Sequence, residues 1–206
     1  MRKVAIVTGA TRGIGKACAL SLAQQGFDVV VTGRTQKEGE GTATLPFSRE
    51  GRQVAVPGSL ETTVQAVQAL GREALPVRMD VLDRSSMDTV IAQTLEHWDR
   101  IDVLVNNAGK SNPLTIMDCP EAEFDRTIAI NLKSCFNYIQ AFVPLMRKGG
   151  GGRIVSMSSL NAHTGGVTSA VSKFAYASAK AGILGMTRAL AKELGPEIAV
   201  NTVCPG

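Results

Sequence analysis

The chain has 206 residues, a length that fits one ordinary domain with a buried core. Hydrophobic residues make up 44% and charged residues 19%, which is typical of a soluble globular protein and excludes a disordered or fibrous chain. The net charge of +4 is small, and because the lysines and arginines form no basic run, nucleic-acid binding gains no support.

The potential metal ligands are scattered along the chain. The four cysteines show no Cys-x-x-Cys pair, and two histidines complete the set: Cys18, Cys119, Cys135, Cys204, His97 and His163. We therefore expect neither a metal site nor a disulfide framework, and the free thiols fit a reducing compartment. The apolar stretch after Met1 is too short for a signal peptide, and no run reaches membrane-spanning length. A cytoplasmic protein without membrane contact is the default expectation.

Short apolar runs alternate along the chain with longer segments of helical periodicity. The predicted strands cover residues 4–7, 29–31, 76–81, 101–109, 153–159 and 198–206. The predicted helices cover residues 13–25, 60–71, 85–98, 121–146 and 176–194. Because continuous Val/Ile strands are typical of parallel sheets, this order predicts an α/β fold. We expect a doubly wound, mainly parallel, Rossmann-like sheet with helices on both faces, in a single domain over residues 1–206.

Residues 36–59 interrupt this alternation. They lack clear periodicity and contain several glycines and prolines. We interpret them as an inserted loop.

A glycine-rich turn joins the first predicted strand to the first predicted helix. It reads Thr8-Gly9-Ala10-Thr11-Arg12-Gly13-Ile14-Gly15. Glycines allow the backbone to approach a pyrophosphate, and the helix N-terminus supplies N–H groups and a positive dipole end. The turn therefore predicts a dinucleotide-binding loop formed by Gly9, Thr11, Arg12, Gly13, Ile14 and Gly15. An ordinary glycine-rich turn is the alternative.

The second predicted strand leads to Arg34. At this position an NAD-binding protein would place an acid that accepts from the ribose 2′-hydroxyl. No acid is present, whereas the guanidinium groups of Arg34 and Arg12 can bind a 2′-phosphate. The pattern favours NADP(H) over NAD(H), unless both arginines are solvated surface residues.

Tyr176 and Lys180 are four residues apart in a predicted helix and therefore share one face. The phenol of a free tyrosine has a pKa of about 10, but a nearby ammonium lowers that pKa. The tyrosine can then exchange a proton with a substrate oxygen while hydride moves at carbon. By itself, the pair also fits a surface tyrosine beside a solvated lysine.

Three further polar positions support a catalytic site. Ser159 ends one predicted strand, and Asn106-Asn107-Ala108-Gly109 ends another. Asn131 lies in an otherwise apolar helical stretch, where a buried amide needs partners. A satisfied core asparagine remains the alternative for Asn131.

Together these motifs resemble the short-chain dehydrogenase/reductase family over essentially the whole chain. The matching pieces are TGATRGIG, the Asp80-Val81 pair, NNAG, the INL around Asn131, the serine pair at Ser158-Ser159, YASAK and the terminal PG. The resemblance implies a Rossmann-like sheet and hydride transfer between a nicotinamide and an alcohol/carbonyl pair.

The resemblance also implies a role for each matching residue. Tyr176 would be the catalytic acid/base, and Lys180 would lower the pKa of Tyr176 and bind the nicotinamide ribose. Ser159 would polarise the substrate carbonyl. Asn131 would help to hold a water that relays the proton. Along the cofactor, Asp80 and Val81 would flank the adenine, Asn107, Ala108 and Gly109 would lie beside it, and Pro205 and Gly206 would approach the nicotinamide.

Three features depart from the family's common pattern. Residues 36–59 lie near the expected adenosine end, where Arg49 or Arg52 would be able to add a phosphate contact. Ser159 and Tyr176 are further apart in sequence than is usual in the family, so residues 168–173 are expected to reshape the substrate pocket. Ser158 is the alternative for the serine that polarises the carbonyl. Family members continue past the PG, so we expect a partial sequence or a truncated product that lacks the C-terminal elements.

The leading functional interpretation is an NADP(H)-dependent carbonyl reductase or alcohol dehydrogenase, most like a 3-oxoacyl reductase. A dehydrogenase of a sugar, polyol or steroid alcohol and a non-catalytic dinucleotide-binding protein remain alternatives. The expected partner is a small-molecule substrate. We also expect a homodimer or homotetramer, because small residues give the Tyr176 helix a smooth flank: Ala175, Ala177, Ala179, Ala181, Gly182 and Gly185.

Overall fold

The structure is a computed structural model that describes residues 2–44, 52–166 and 172–206. Its strands in the described part are β1 (Lys3–Val7), β2 (Phe27–Gly33), β3 (Thr42–Thr44), β4 (Gln53–Ala55), β5 (Ala74–Arg78), β6 (Val103–Asn106), β7 (Gly152–Met157) and β8 (Ile198–Val203). Its helices are α1 (Gly13–Gln24), α2 (Leu60–Gln68), α3 (Arg84–Trp98), α4 (Glu121–Ile128), α5 (Ser134–Lys148), α6 (Asn161–Thr164) and α7 (Phe174–Leu194), with a π-helical turn (Ala129–Lys133) between α4 and α5.

Six of these strands form one parallel sheet in the order β5-β2-β1-β6-β7-β8. When the β3–β4 hairpin is left out, this is the 3-2-1-4-5-6 order of dinucleotide-binding folds. The order reverses between β1 and β6, so a crevice opens beyond their carboxyl ends. The segments that follow Val7 and Asn106 therefore meet at that crevice.

The sheet is buried on both faces, as its first strand shows. Val4 and Ile6 pack in one core cluster with Phe142 of α5. Ala5 and Val7 pack in a second cluster, which includes Leu60 of α2. Burying a large apolar side chain contributes about 1.5–3 kcal/mol, so both layers stabilise the fold. The predicted doubly wound, single-domain α/β architecture is confirmed.

Every predicted strand and helix overlaps an element of the structure, but the strands predicted over 76–81, 101–109, 153–159 and 198–206 extend too far. The observed strands end at Arg78, Asn106, Met157 and Val203, and the residues that follow are not in strands. Three further differences concern the elements themselves. The long helix predicted over 121–146 is divided by the π-helical turn Ala129–Lys133. The segment 36–59 is not an irregular loop throughout, because its described part contains the antiparallel β3–β4 hairpin. The four-residue helix α6 was not predicted, since one turn is too short to show periodicity.

The small residues of α7 divide between the interior and the surface. Ala175 and Ala179 are buried, and a Cβ at Gly182 would lie 2.7 Å from Leu132 Cδ2. Part of the flank expected to face a second subunit therefore packs within this one. In the described ranges, no helix combines the length and the apolar character that crossing a membrane requires.

Candidate active site

The turn between β1 and α1 is shaped by two glycines that leave no room for a side chain. Gly9 has a φ of +66°, and a Cβ there would lie 2.9 Å from the Ala108 Cα. A Cβ at Gly15 would lie 2.3 Å from the Gly9 carbonyl oxygen and 2.4 Å from Asn107 Nδ2. Only glycine fits these positions, which explains the spacing of the motif.

A hydrogen-bond network joins this turn to the segment after β6. The Thr8 hydroxyl accepts from the backbone N–H groups of Asn107 (2.9 Å) and Ala108 (3.0 Å). The Asn107 amide donates in return to the carbonyls of Thr8 (2.9 Å) and Gly9 (3.1 Å). The two loops at the crevice therefore form one preorganised unit, in which Asn107 is a structural brace.

The N-terminus of α1 faces this unit without a side-chain cap. Arg12 occupies the cap position with an extended backbone, and no side chain accepts from the first turn. The first turn of any helix has N–H groups without intrahelical acceptors, so an uncapped end is suited to an anion.

A cavity of about 490 Å³ lies in front of the two loops. This volume is in the range of small-molecule sites. Among the residues that the structure describes, the charged ones lining it are the basic Arg12, Arg34, Lys110 and Arg126 and the acidic Asp80. Four basic groups against one acidic group, together with the helix end, make the cavity complementary to a polyanion.

Tyr176 and Ser159 come together beyond the other end of the phosphate-loop unit. Burial raises the pKa of the Tyr176 phenol, and the neighbouring Ser159 hydroxyl acts in the opposite direction with the smaller effect. The Ser159 hydroxyl also accepts from the backbone N–H of Asn161 (3.2 Å) at the start of α6. The neighbouring Ser158 is buried, and its hydroxyl donates to the Lys180 carbonyl at 2.7 Å. The structure therefore places Ser159, and not the alternative Ser158, beside the tyrosine.

The Lys180 ammonium is buried next to the same tyrosine. It donates to the Met157 carbonyl at 2.7 Å and lies 5.6 Å from the centre of the Tyr176 ring. Burial lowers the pKa of Lys180, because a low-dielectric environment disfavours its charged form. Burial raises the pKa of the Tyr176 phenol above its ordinary value, and the lowering of that pKa by Lys180 stays a prediction.

Asn131 sits in the π-helical turn and is fully buried. Its side-chain amide donates to the carbonyls of Lys110 (2.9 Å) and Thr127 (3.0 Å), and its Oδ1 accepts from the Lys110 N–H (3.1 Å). π-Helical turns often occur at functional sites because they re-aim backbone groups. Asn131 thus holds the loop after β6 against the helical segment to which Asn131 itself belongs.

Gly109 connects the cavity with the residues predicted to be catalytic. It lines the cavity, and a Cβ at this position would lie 2.8 Å from Asn131 Oδ1 and 3.5 Å from Lys180 Nζ. The anion-binding end and the tyrosine–lysine pair are therefore two parts of one site.

Comparison with known proteins identifies this arrangement. The family model described as short chain dehydrogenase matches residues 3–56 and 44–206. The chain belongs to the short-chain dehydrogenase/reductase family. The 3-oxoacyl-[acyl-carrier-protein] reductase FabG of Thermotoga maritima is 36% identical over 205 residues, which are 99% of this chain and 73% of that relative.

Two solved short-chain dehydrogenase/reductase-like structures show the same fold with a nicotinamide cofactor in the crystal. Carveol dehydrogenase from Mycobacterium avium, in complex with NAD, superposes with a TM-score of 0.82 at 31% identity, covering 98% of this chain and 70% of that one. Actinorhodin polyketide ketoreductase with NADPH superposes with a TM-score of 0.80 at 31% identity, covering 100% of this chain and 70% of that one.

The residues predicted for the cofactor gather as this family's fold requires. The cavity is lined by Gly9, Thr11, Arg12, Ile14, Gly15, Arg34, Asp80, Val81, Asn107, Ala108 and Gly109. Gly13, with a φ of +53°, belongs to the same turn. A nicotinamide dinucleotide fits these residues, because the uncapped helix end and the glycine cradle suit its pyrophosphate.

Other predicted residues lie outside the cavity. Pro205 is held near α6 by the bond from the Leu160 N–H to its carbonyl (2.8 Å), and Gly206 is close to Leu160. Arg52 is exposed before β4 and does not line the cavity, while Arg49 and positions 168–171 fall outside the described residues. Residues 2–44, 52–166 and 172–206 contain no group of three or more His, Cys, Asp or Glu side chains that could hold a metal ion.

Sequence patterns missed several residues that shape this site. Thr8 holds Asn107 and Ala108 in place, and Lys110 and Arg126 add positive charge to the cavity. Asn112 is buried, and its carbonyl accepts from the Lys173 N–H (2.8 Å) at the start of α7. Of these residues, only Thr8 was indicated by the sequence, because it is the first residue of the glycine-rich motif. The others are brought to the site by the packing of segments that are distant in sequence, which no local pattern predicts.

Proposed function

We propose that this chain is an NADP(H)-dependent oxidoreductase that transfers a hydride between nicotinamide and a carbonyl/secondary alcohol pair. The observation that carries the proposal is the cavity, whose lining has four basic side chains and one acidic one. Arg34 follows β2, where an NAD-binding fold would place an acid, and Arg12 lies beside it in the same lining. Two guanidinium groups favour a cofactor with a 2′-phosphate.

The proton chemistry follows from the state of Tyr176. Because burial raises its pKa, the phenol is protonated at neutral pH and acts as a general acid toward a carbonyl oxygen. The bound dinucleotide supplies or accepts the hydride. Ser159 holds the reacting oxygen beside the phenol, and its hydrogen bond favours the phenolate that forms as the proton leaves. In the oxidative direction the phenolate form of Tyr176 takes the proton from the alcohol, and this form is reached only after the phenol has lost its own proton.

Lys180 and Asn131 position this pair in the proposed reaction. The Lys180 ammonium favours the developing phenolate across 5.6 Å and is oriented by the Met157 carbonyl. Asn131 holds the loop that contains Gly109. This keeps the distance between the dinucleotide-binding cavity and Tyr176 constant. Water held near Asn131 would carry the proton onward to solvent.

The proposed substrate is a small 3-oxoacyl compound. Its support is the T. maritima relative, a 3-oxoacyl-[acyl-carrier-protein] reductase at 36% identity. The second candidate is a cyclic secondary alcohol, which the superposition on carveol dehydrogenase in complex with NAD favours. The two candidates differ in substrate and also in cofactor.

One kinetic comparison tests these alternatives. NADPH and NADH are each followed at their nicotinamide absorbance with a short 3-oxoacyl thioester and, separately, with carveol as an alcohol of the second class. We expect turnover of the thioester with NADPH and its loss in Tyr176→Phe, while NADPH binding is retained. Tight cofactor binding with no turnover of any carbonyl or alcohol would favour a non-catalytic dinucleotide-binding protein.

We also propose that the chain forms a homodimer or homotetramer. Ala181 and Gly185 of α7 remain exposed, and Phe136 of α5 is 47% exposed. Light scattering of the purified chain would show a mass of at least twice the monomer, and a monomer at working concentration would exclude the proposal.

A further inference from the structure

The described residues of the 36–59 segment, 36–44 and 52–59, pack on a residue of the phosphate loop. They follow β2, contain the antiparallel strands β3 and β4, and end at Ser59, the N-cap of α2. The two matches of the family model, 3–56 and 44–206, overlap within this segment.

The Arg12 guanidinium is held by residues at the start and at the end of this part of the chain. Arg12 Nη2 donates to the hydroxyl of Thr35, just before the segment, at 3.1 Å and to the Gly58 carbonyl near its end at 3.4 Å. On its other side, Arg12 Nε donates to the Thr11 hydroxyl at 3.4 Å. The guanidinium thus lies between Thr35, Gly58 and the phosphate loop.

Two glycines of the segment leave space for this arginine. A Cβ at Gly41 would lie 2.6 Å from Arg12 Nη2. Gly58 has a φ of +100°, and a Cβ there would lie 2.5 Å from the Thr11 carbonyl oxygen and 2.9 Å from Arg12 Cβ. Glu38 fixes this approach, because its carboxylate accepts from the Gly58 N–H at 2.9 and 3.1 Å.

The segment also forms part of the cavity wall. Thr42 and Ala43 of β3 line the same cavity as Arg12, Arg34 and Thr35. A free arginine side chain loses about 2 kcal/mol of rotamer entropy when it is immobilised on a ligand. Holding Arg12 before the ligand arrives removes much of that cost from binding.

We propose that Thr35 and the described ends of the 36–59 segment, residues 36–44 and 52–59, set cofactor preference by positioning Arg12 for the 2′-phosphate of the dinucleotide. Thr35, Gly41 and Gly58 are the positioning residues, and Arg12 is the group that contacts the phosphate together with Arg34. This inference rests on the proposed NADP(H) dependence, which it deepens by assigning a role to a segment outside the phosphate-binding motif.

The test measures ligand affinity without catalysis. Calorimetry compares adenosine 2′,5′-bisphosphate with 5′-AMP, which differ only in the 2′-phosphate, on the wild-type chain and on Thr35→Val. Loss of one hydrogen bond that orients a charged group predicts a roughly three- to tenfold weaker affinity for the bisphosphate. The affinity for 5′-AMP should stay within about twofold, since the other contacts of the cavity are unchanged.

Matched variants separate positioning from general damage. Thr35→Ser keeps the hydroxyl and should restore bisphosphate affinity. Thr89→Val makes the same chemical change at an exposed site of α3 outside the cavity and should leave both affinities unchanged. In an Arg12→Ala background, Thr35→Val should have no further effect on bisphosphate affinity, because Thr35 acts through Arg12.

Each outcome decides between the two proposals. A wild-type chain that binds both nucleotides equally would overturn the NADP(H) proposal and this inference together. A wild-type preference that survives intact in Thr35→Val would overturn the inference alone. Equal weakening of both nucleotides, or the same loss in the Arg12→Ala background, would assign Thr35 a structural role and would also overturn the inference.

Discussion

Replacing Lys180 with methionine separates catalysis from stability. The side chain is 3% exposed and Nζ donates to the Met157 carbonyl at 2.7 Å. Methionine has a similar length, so it fills the space without the cost of burying an ammonium. Leaving the Met157 carbonyl without this donor costs about 1–3 kcal/mol. Since these effects oppose each other, we expect the free energy of unfolding to change by no more than about 2 kcal/mol.

The effect on rate follows from the distance between the ammonium and the ring. With the phenolate charge placed at the ring centre, 5.6 Å from the ammonium, and an effective dielectric constant of about 20, the unit charge of Lys180 favours the phenolate by about 3 kcal/mol. A factor of ten in rate corresponds to about 1.4 kcal/mol. Lys180→Met should therefore lower kcat by about a hundredfold through this interaction alone.

The assay combines kinetics with thermal unfolding. NADPH oxidation with a short 3-oxoacyl thioester gives kcat, and calorimetry gives Tm, which should fall by no more than roughly 8 °C for a chain of this size. Lys180→Arg is the matched variant that keeps the charge. A Lys180→Met variant with wild-type kcat, or one that fails to fold while Lys180→Arg folds, would refute this reasoning.

Three further predictions concern the cofactor loop, the tyrosines and Arg34. Gly15→Ala should abolish dinucleotide binding measured by nicotinamide fluorescence, because the new Cβ would lie 2.3 Å from a backbone oxygen. Gly185→Ala is the control and should bind normally, because its Cβ meets nothing within 4 Å. Equal binding by the two variants would contradict the role given to the glycine-rich turn. Burial raises the pKa of both tyrosines of the chain, Tyr138 and Tyr176. An alkaline absorbance titration should therefore find less than half of the phenol groups ionised at pH 10. A phenolate that is already formed near pH 8 would contradict this expectation. Arg34→Asp should shift the NADPH-to-NADH affinity ratio at least about tenfold toward NADH, and an unchanged ratio would remove Arg34 from the 2′-phosphate site.

The sheet and the cofactor loop were predictable because local patterns determine them. The valine run of β2 is buried throughout, as expected of a central parallel strand. The tight fit at Gly9 and Gly15 is what a glycine-rich βα turn encodes. Tyr176 and Lys180 share a helix face because they are four residues apart.

Other features depend on contacts between distant segments. In the π-helical turn around Asn131 the backbone hydrogen bonds join residues five positions apart instead of four. The spacing of apolar residues in the sequence does not distinguish this turn from an α-helix. The raised pKa of Tyr176 reflects burial, whereas the sequence showed only the nearby lysine. The contact between Arg12 and Thr35 joins residues 23 positions apart, and no motif predicted it.

The most direct test of the central claim is isotope transfer from the cofactor. The chain is incubated with NADPH carrying deuterium at the transferable C4 position and with a short 3-oxoacyl thioester, and the alcohol product is analysed by mass spectrometry. The account predicts one deuterium at the carbinol carbon with the wild-type chain and no product above background with Tyr176→Phe. An alcohol product without deuterium, or deuterium transfer by Tyr176→Phe at the wild-type rate, would contradict it.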